Sequence, residues 1–328
     1  MKLIITNTVR KYFVSAHLDS LYRHLLRMPK LLFYHGIAIE PDSDIEPESI
    51  SIYEFTKHLK YLVRYYRIIS INEFIELYVT HKLRGDEISL TFDDGYKNML
   101  YTAAPILSDF NIPYSLFLTT NNISNGALFP TTINRLVVRA SSLKAIELDC
   151  IKQKFDLSTT ELRTHAQNTI SWQLKTQSIS VVNQIVAELE SKVSKDEMLE
   201  LRRKYKSIEP LNWNEAKQLA NDSLCTIGSH GMDHICCHNK QSIEELKRQF
   251  EGSKSTIEEK LEVPCEIFSY PNGNYTEDSN KLLKESGYKY GLSTKRWNVY
   301  KGDRYSIPRL YVPYDYNRFV YSLVTYPY

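Results

Sequence analysis

Short apolar runs rich in β-branched and aromatic residues alternate along this chain with stretches whose apolar residues recur at helical spacing. That alternation restricts the fold to parallel strands joined by crossover helices. The strands are expected at Lys30 to Tyr34 (KLLFY), Ile88 to Phe92 (ISLTF), Tyr114 to Leu118 (YSLFL), Cys225 to Ser229 (CTIGS), Glu266 to Tyr270 (EIFSY) and Tyr288 to Ser293 (YKYGLS). Between them SIYEFTKHLKYLVRYY and SIEELKRQFEGSKSTIEEKL read as amphipathic helices, the second opened by a capping box of Ser242 with Glu245 and ended at Pro264.

The spacing breaks between Asn121 and about Pro210. There a longer helical stretch carries the stripe Ile179, Val182, Val186, Leu189 and Val193, so residues 121–210 read as a helical insertion or lid, its stripe used for packing. LNWNEAKQLA then returns the chain to the main fold, and residues 1–328 are expected to form one catalytic domain.

Bulk composition removes several function classes. A chain of 328 residues with 42% hydrophobic content can bury a full core. Its 41 Lys and Arg against 39 Asp and Glu leave a formal charge of +2, without the basic excess of a nucleic-acid binder. Twenty-four Tyr suit sugar faces and ordinary cores alike. Five Cys at no framework-like spacing read as reduced thiols, and with no signal-peptide pattern they make a cytoplasmic location the expectation. Residues 1–30 hold six Lys or Arg and one acid, Asp19; this basic segment is either a solvated helix face or a peripheral contact with the anionic inner face of a membrane. Oligomeric state is not encoded in any pattern.

The residues just past each strand carry the chemistry: His35 after LLFY, Asp93 and Asp94 after ISLTF, His230 after CTIGS and PNGNY after EIFSY. Strand carboxyl ends of α/β folds converge on one face, so these clusters are expected in one cleft. Two adjacent carboxylates repel, and a bland strand end would seldom place them together. His230 and His234 stand four apart, a spacing that lets both imidazoles grip one metal if a third ligand arrives from elsewhere. A strand-end aspartate supplies that ligand and leaves its neighbour free as a base. HICCH lacks the spacing of a structural zinc site, so Cys236 and Cys237 read as buried thiols.

In this order, LTFDDGY, GSHGMDH and FSYPNGNY, with IPRL near the end, resemble the polysaccharide deacetylase family, the NodB-homology carbohydrate esterases. The resemblance runs from about Leu31 to Leu310. It implies an α/β fold, a distorted (β/α) barrel holding a divalent metal, with zinc ahead of Co, Mn, Ni and Fe. It also implies hydrolysis of an acyl group, most often N-acetyl, from an amino sugar in a polysaccharide, oligosaccharide or precursor. Matched motif to motif, Asp94, His230 and His234 are the expected metal ligands and Asp93 the base, with the backbone N–H of Asn272 facing the oxyanion. The family's late Leu-x-His acid is absent after Leu310, and LLFYHGI resembles the early His of a subset of exopolysaccharide deacetylases, which nominates His35 as general acid. The Arg that relatives place before the Pro turn is missing as well, and Arg309 is expected to replace it by pairing with Asp93. Tyr96, Tyr270 and Tyr275, the aromatic residues of these motifs, are expected at the substrate. The alternatives are a deacetylase or deformylase of a membrane-bound glycolipid, and a non-catalytic carbohydrate-binding module on the same scaffold.

Overall fold

The computed structural model describes residues 6–294 and 303–325. Eight parallel strands form its centre: β1 (Lys30–Tyr34), β2 (Glu87–Phe92), β3 (Tyr114–Leu118), β4 (Cys225–Ser229), β5 (Ile267–Ser269), β6 (Tyr290–Ser293), β7 (Ile307–Pro308) and β8 (Leu310–Tyr311). Their order in the sheet is β7-β6-β5-β4-β3-β2-β1-β8. Since β7 and β8 are separated only by Arg309, one stretch of chain pairs with β6 through Ser293 opposite Pro308 and with β1 through Leu32 opposite Leu310. The sheet thereby closes into a distorted (β/α) barrel, as the alternating pattern and the family resemblance both imply. A further short strand, Arg67–Ile68, pairs with the start of β2.

Burial on both sides explains the strand sequences. Every residue of β1, β2 and β3 is buried, so after the charged residues Lys30 and Glu87 that open β1 and β2 these runs are apolar or small, without the alternation of a half-solvated sheet. The helix Ile52–Tyr65 follows a Ser51 N-cap whose hydroxyl accepts the Glu54 N–H, and it buries Phe55, Leu59 and Leu62 at helical spacing. Fully burying each of those side chains contributes roughly 1.5–3 kcal/mol. Helix Ile71–Val79 shares one apolar cluster with Leu31, Ile267 and Ile307, the early residues of their strands, and so packs at the amino-terminal end of the barrel. The helix Ile243–Leu261 keeps half of the expected capping box. Ser242 accepts the Glu245 N–H, but the Glu245 carboxylate turns to Arg248 and Gln249 instead of reaching back. Arg248 is close enough to outcompete the cap.

Residues 121–210 build a second centre of packing. Val137, Ile146, Leu157, Ile170, Val182, Ile185 and Leu189 belong to an apolar cluster separate from the barrel's. The segment is not purely helical. An antiparallel hairpin, Ala145–Leu148 with Gln153–Asp156, interrupts the helices, its burial alternating so that Ile146, Leu148 and Phe155 face inward. On the helix Ile179–Ser191 the buried face is Val182, Ile185 and Leu189, with Val186 only partly covered and Val193 past the helix end, so the stripe is rotated towards Ile185.

Candidate active site

The carboxyl ends of β1, β2, β4 and β5 open into one cleft of about 200 Å³, lined by His35, Asp93, Asp94, Tyr96, His230, His234, Asn272 and Arg309 among others. The Asp93 N–H donates to the Tyr34 carbonyl and the His230 N–H to that of Leu118, so ladder bonds running past the strand ends fix where both side chains emerge. Gln249 braces the loop after His230, with Arg248 and Asn121 also bonding its Asp233. The Gln249 Oε1 accepts the N–H groups of Met232 and Asp233 at 2.9 and 3.0 Å, and its amide donates to Asp233.

Three non-glycine residues of the cleft sit in the left-handed backbone region: Asp94 at φ 77°, His234 at 53° and Asn272 at 53°. Each such residue costs on the order of 1 kcal/mol or more, and such strain collects where a side chain must be aimed. Beside Asn272, Gly273 has no alternative, since a Cβ there would meet Thr294 Oγ1 at 1.9 Å.

The two neighbouring aspartates have opposite surroundings. Asp93 takes a two-pronged guanidinium, Arg309 donating at 2.8 Å to Oδ1 and 2.7 Å to Oδ2, both residues being about 97% buried. Thr91 and Ser269 complete the Arg309 contacts, and its guanidinium lies over the Phe33 ring at 4.8 Å inside the barrel. The pair is thus buried at the barrel's heart and not at its surface. Burial works against ionising Asp93, but Arg309 and then His230 hold its carboxyl below the usual range.

Asp94 has no such donor. Its buried Oδ1 makes no hydrogen bond, yet it lies 3.3 Å from His234 Nε2 and 3.5 Å from His230 Nε2. The His230 Nδ1 lies 2.7 Å from the Ser269 carbonyl, to which it donates, so the Nε2 lone pair is turned into the cleft. Burial pushes the His230 imidazole down to about 4 and keeps it neutral. Burial opposes ionisation of Asp94 too, but His234, with His35 and His230, holds its carboxyl low; facing Asp94 raises His234 above its ordinary value despite burial. One carboxylate oxygen and two imidazole nitrogens within 4.8 Å of one another are a donor set that fits a divalent cation.

His35 stands at the mouth with its ring edge-on to Phe33 and its Nδ1 without a partner. Glu48 and Asp94 both approach its imidazole within 4.8 Å. Tyr96 lines the cleft and packs on Phe129 at 5.4 Å, its hydroxyl pushed well up by burial and by Asp94. Tyr270 borders the cleft while fully buried, its hydroxyl donating to Asn280 at 2.8 Å. One expected substrate contact needs correction. Tyr275 is absent from the lining and lies 5.4 Å from the Tyr270 ring, where it packs against the barrel core. Asn272 lines the cleft, and its side-chain amide meets Cys236 Sγ at 3.2 Å. Glu48, Thr131 and Lys175 also reach the cleft from loops and from the 121–210 segment. Sequence reasoning missed all three because no motif surrounds them.

Fold and site together define a barrel hydrolase whose carboxylates and imidazoles meet at the strand ends. The profile of the family described as polysaccharide deacetylase matches residues 80–148 and 158–291, more than half of the chain, and the chain belongs to that family. It is accordingly a hydrolase of the carbohydrate N-deacetylase type. The fold is similar to that of the Streptococcus pyogenes deacetylase PplD in complex with acetate (TM-score 0.57, 14% identity, 92% of this chain and 98% of that one). IcaB from Ammonifex degensii is similar at TM-score 0.58 and 16% identity over 91% and 98% of the two chains. The polysaccharide deacetylase BC0361 of Bacillus cereus gives 0.54 and 14% over 91% and 69%. No curated protein matches in sequence.

Proposed function

We propose that this protein removes acetyl groups from the amino sugars of a polysaccharide, oligosaccharide or precursor, in a reaction that depends on a divalent cation held by Asp94, His230 and His234. The observation that carries this reading is the Asp94 Oδ1, buried without a hydrogen-bond donor and facing two imidazole nitrogens. Zinc is the first choice for such a donor set, with Co, Mn, Ni and Fe as alternatives. A cation there supplies Lewis acidity towards the acyl oxygen and an attacking water.

The protein's own groups do the rest. Arg309 occupies one direction on each Asp93 oxygen and keeps the group ionised; Oδ2, 4.0 Å from His230 Nε2, retains a lone pair towards the cleft for the proton of the attacking water. The turn at Asn272 and Gly273 brings the Asn272 backbone N–H to the wall where the acyl oxygen would rest, the Gly273 N–H being spent on the Tyr270 carbonyl. His35, within 4.8 Å of Asp94, would protonate the departing amine. Carbohydrate occupies the outer cleft against Tyr96, Thr131, Lys175 and Tyr311. The free state of all five cysteines supports a reducing, cytoplasmic setting.

The test is acetate release from N-acetylated amino-sugar oligomers by the purified protein, before and after chelation and on return of zinc. Activity indifferent to chelators overturns the cation; bound oligomer with no release favours a binding module.

A further inference from the structure

At the end of the barrel opposite the cleft, helices Asn7–Ser15 and Leu18–Leu25 fold against the carboxy-terminal helix Tyr316–Thr325, with Phe13 wedged edge-on between Tyr22 and Tyr321. The second of these helices is turned inside out. Its buried face carries an ion pair, Asp19 with Arg23, which Tyr61 joins by donating to Asp19 at 2.7 Å. Its solvent face carries Leu18, Leu21 and Leu25, 38, 55 and 68% exposed, residues that share one side at helical spacing. Val9 and Tyr12 on the preceding helix are exposed as well. Leucines turned to water beside an inward ion pair are the reverse of a packed surface helix.

Next to this stripe lies a hollow of about 320 Å³, lined by Arg23, His24, Arg27, Lys30, Arg64 and Tyr65, with Asp86 also on its wall. Arg23 is used up by Asp19 and lies over the Tyr65 ring at 3.8 Å. Among the described residues no carboxylate pairs with Arg27, Lys30 or Arg64, and Lys30, 6% exposed, gives its ammonium only the Met28 carbonyl at 2.8 Å. The hollow therefore holds several positive charges without an ion-pair partner among the described residues, with Asp86 as the one carboxylate on its wall.

We infer that this face docks on an anionic membrane surface, with Leu18, Leu21 and Leu25 entering the headgroup boundary and the Arg27, Lys30 and Arg64 hollow receiving a lipid phosphate. Charge complementarity selects the occupant. An apolar stripe alone would serve any partner, but one bordered by unpaired cations suits a surface with acyl chains below and phosphates above. Among the described residues no helix is long and apolar enough to cross a membrane, so the contact is peripheral.

The orientation has a functional consequence. β1 runs from Lys30 in the hollow to Tyr34, and His35 of the cleft comes directly after it. Five strand residues span about 17 Å, so a docked molecule turns its cleft away from the bilayer. Glycan arriving from the aqueous side enters freely, whereas a sugar held on a short lipid stem at the same bilayer does not reach it.

Vesicle flotation of the full chain tests this, comparing phosphatidylcholine vesicles with vesicles containing one-third phosphatidylglycerol. Binding is expected only to the second, and raising salt to 0.5 M should release most of it. Arg27→Gln with Arg64→Gln should weaken binding roughly 25-fold, about fivefold per charge. Leu21→Ser with Leu25→Ser should weaken it at least tenfold. Both double variants should keep acetate release from soluble oligomers and their melting temperature, which separates lost docking from lost fold. Equal binding to neutral vesicles, no binding to either, or full competition by millimolar inorganic phosphate overturns the inference. So does a dimer that the Leu→Ser variant converts to a monomer, since the stripe is then a self-association face.

Discussion

The floor and the rim of the cleft are built in different ways. The floor is Asp93, Asp94, His230, His234 and Arg309, all buried or nearly so; Asp93, His230 and Arg309 stand at strand ends with backbones fixed by barrel hydrogen bonds, and His234 follows on the loop braced by Gln249. The rim is Glu48, Thr131 and Lys175, carried by a loop and by a segment with a core of its own. Placement by the barrel suits groups that must hold a cation or a proton to within a fraction of an ångström. Placement by a separately packed segment suits groups that choose among substrates, because that segment can change without disturbing the chemistry.

The largest effect should come from the floor. Asp94→Ala removes the oxygen shared by both imidazoles, and activity should fall to background with bound metal lost in the same preparation; metal retained at full stoichiometry would break the assignment. Asp93→Asn should keep the metal and lose about 10³-fold in kcat, within the range for general bases. Arg309→Met leaves Asp93 buried without its counter-charge, an event that costs about 3–5 kcal/mol. Its melting temperature should therefore drop, and adding Asp93→Asn should restore part of it. A double variant no more stable than Arg309→Met would deny that the pair is the cause.

Between floor and rim lies His35. His35→Ala should bind metal normally and slow turnover about 10²-fold; kinetics like the unaltered protein's would move His35 into the rim and require another proton donor. Smallest is Lys175→Ala, expected to raise KM about tenfold for oligomers while leaving kcat within about twofold, the signature of binding shared by ground and transition states. A fall in kcat instead would erase the line between the two regions.

The same division governs what the sequence reveals. Asp93, Asp94, His230 and His234 are legible because their motifs are local: two carboxylates after a strand, two histidines four apart. Arg309 is within reach because it sits at a strand end, although nothing local says that it lies inside the barrel over Phe33. Glu48 and Lys175 are invisible to this kind of reading, since one acid in a polar loop and one lysine near the end of a helix resemble many others. Tyr275 misleads for the opposite reason: an aromatic next to a functional turn looks like a ligand contact, and only packing shows it turned towards Tyr270. The strands AIEL and QKFD are too short to outweigh the helices around them, so the hairpin escapes notice. Positive φ at Asp94 and His234 has no sequence signal, because it is imposed by the site and opposed by the residue type.

The break between β7 and β8 at a single residue ties assembly to competence. The stave that seals the ring against β1, nearly 280 positions earlier in the chain, is also the one that delivers the counter-charge to Asp93. A nascent or half-folded chain therefore possesses its imidazoles and both aspartates long before it possesses a working base, and hydrolytic power switches on only when the last stave has slotted home.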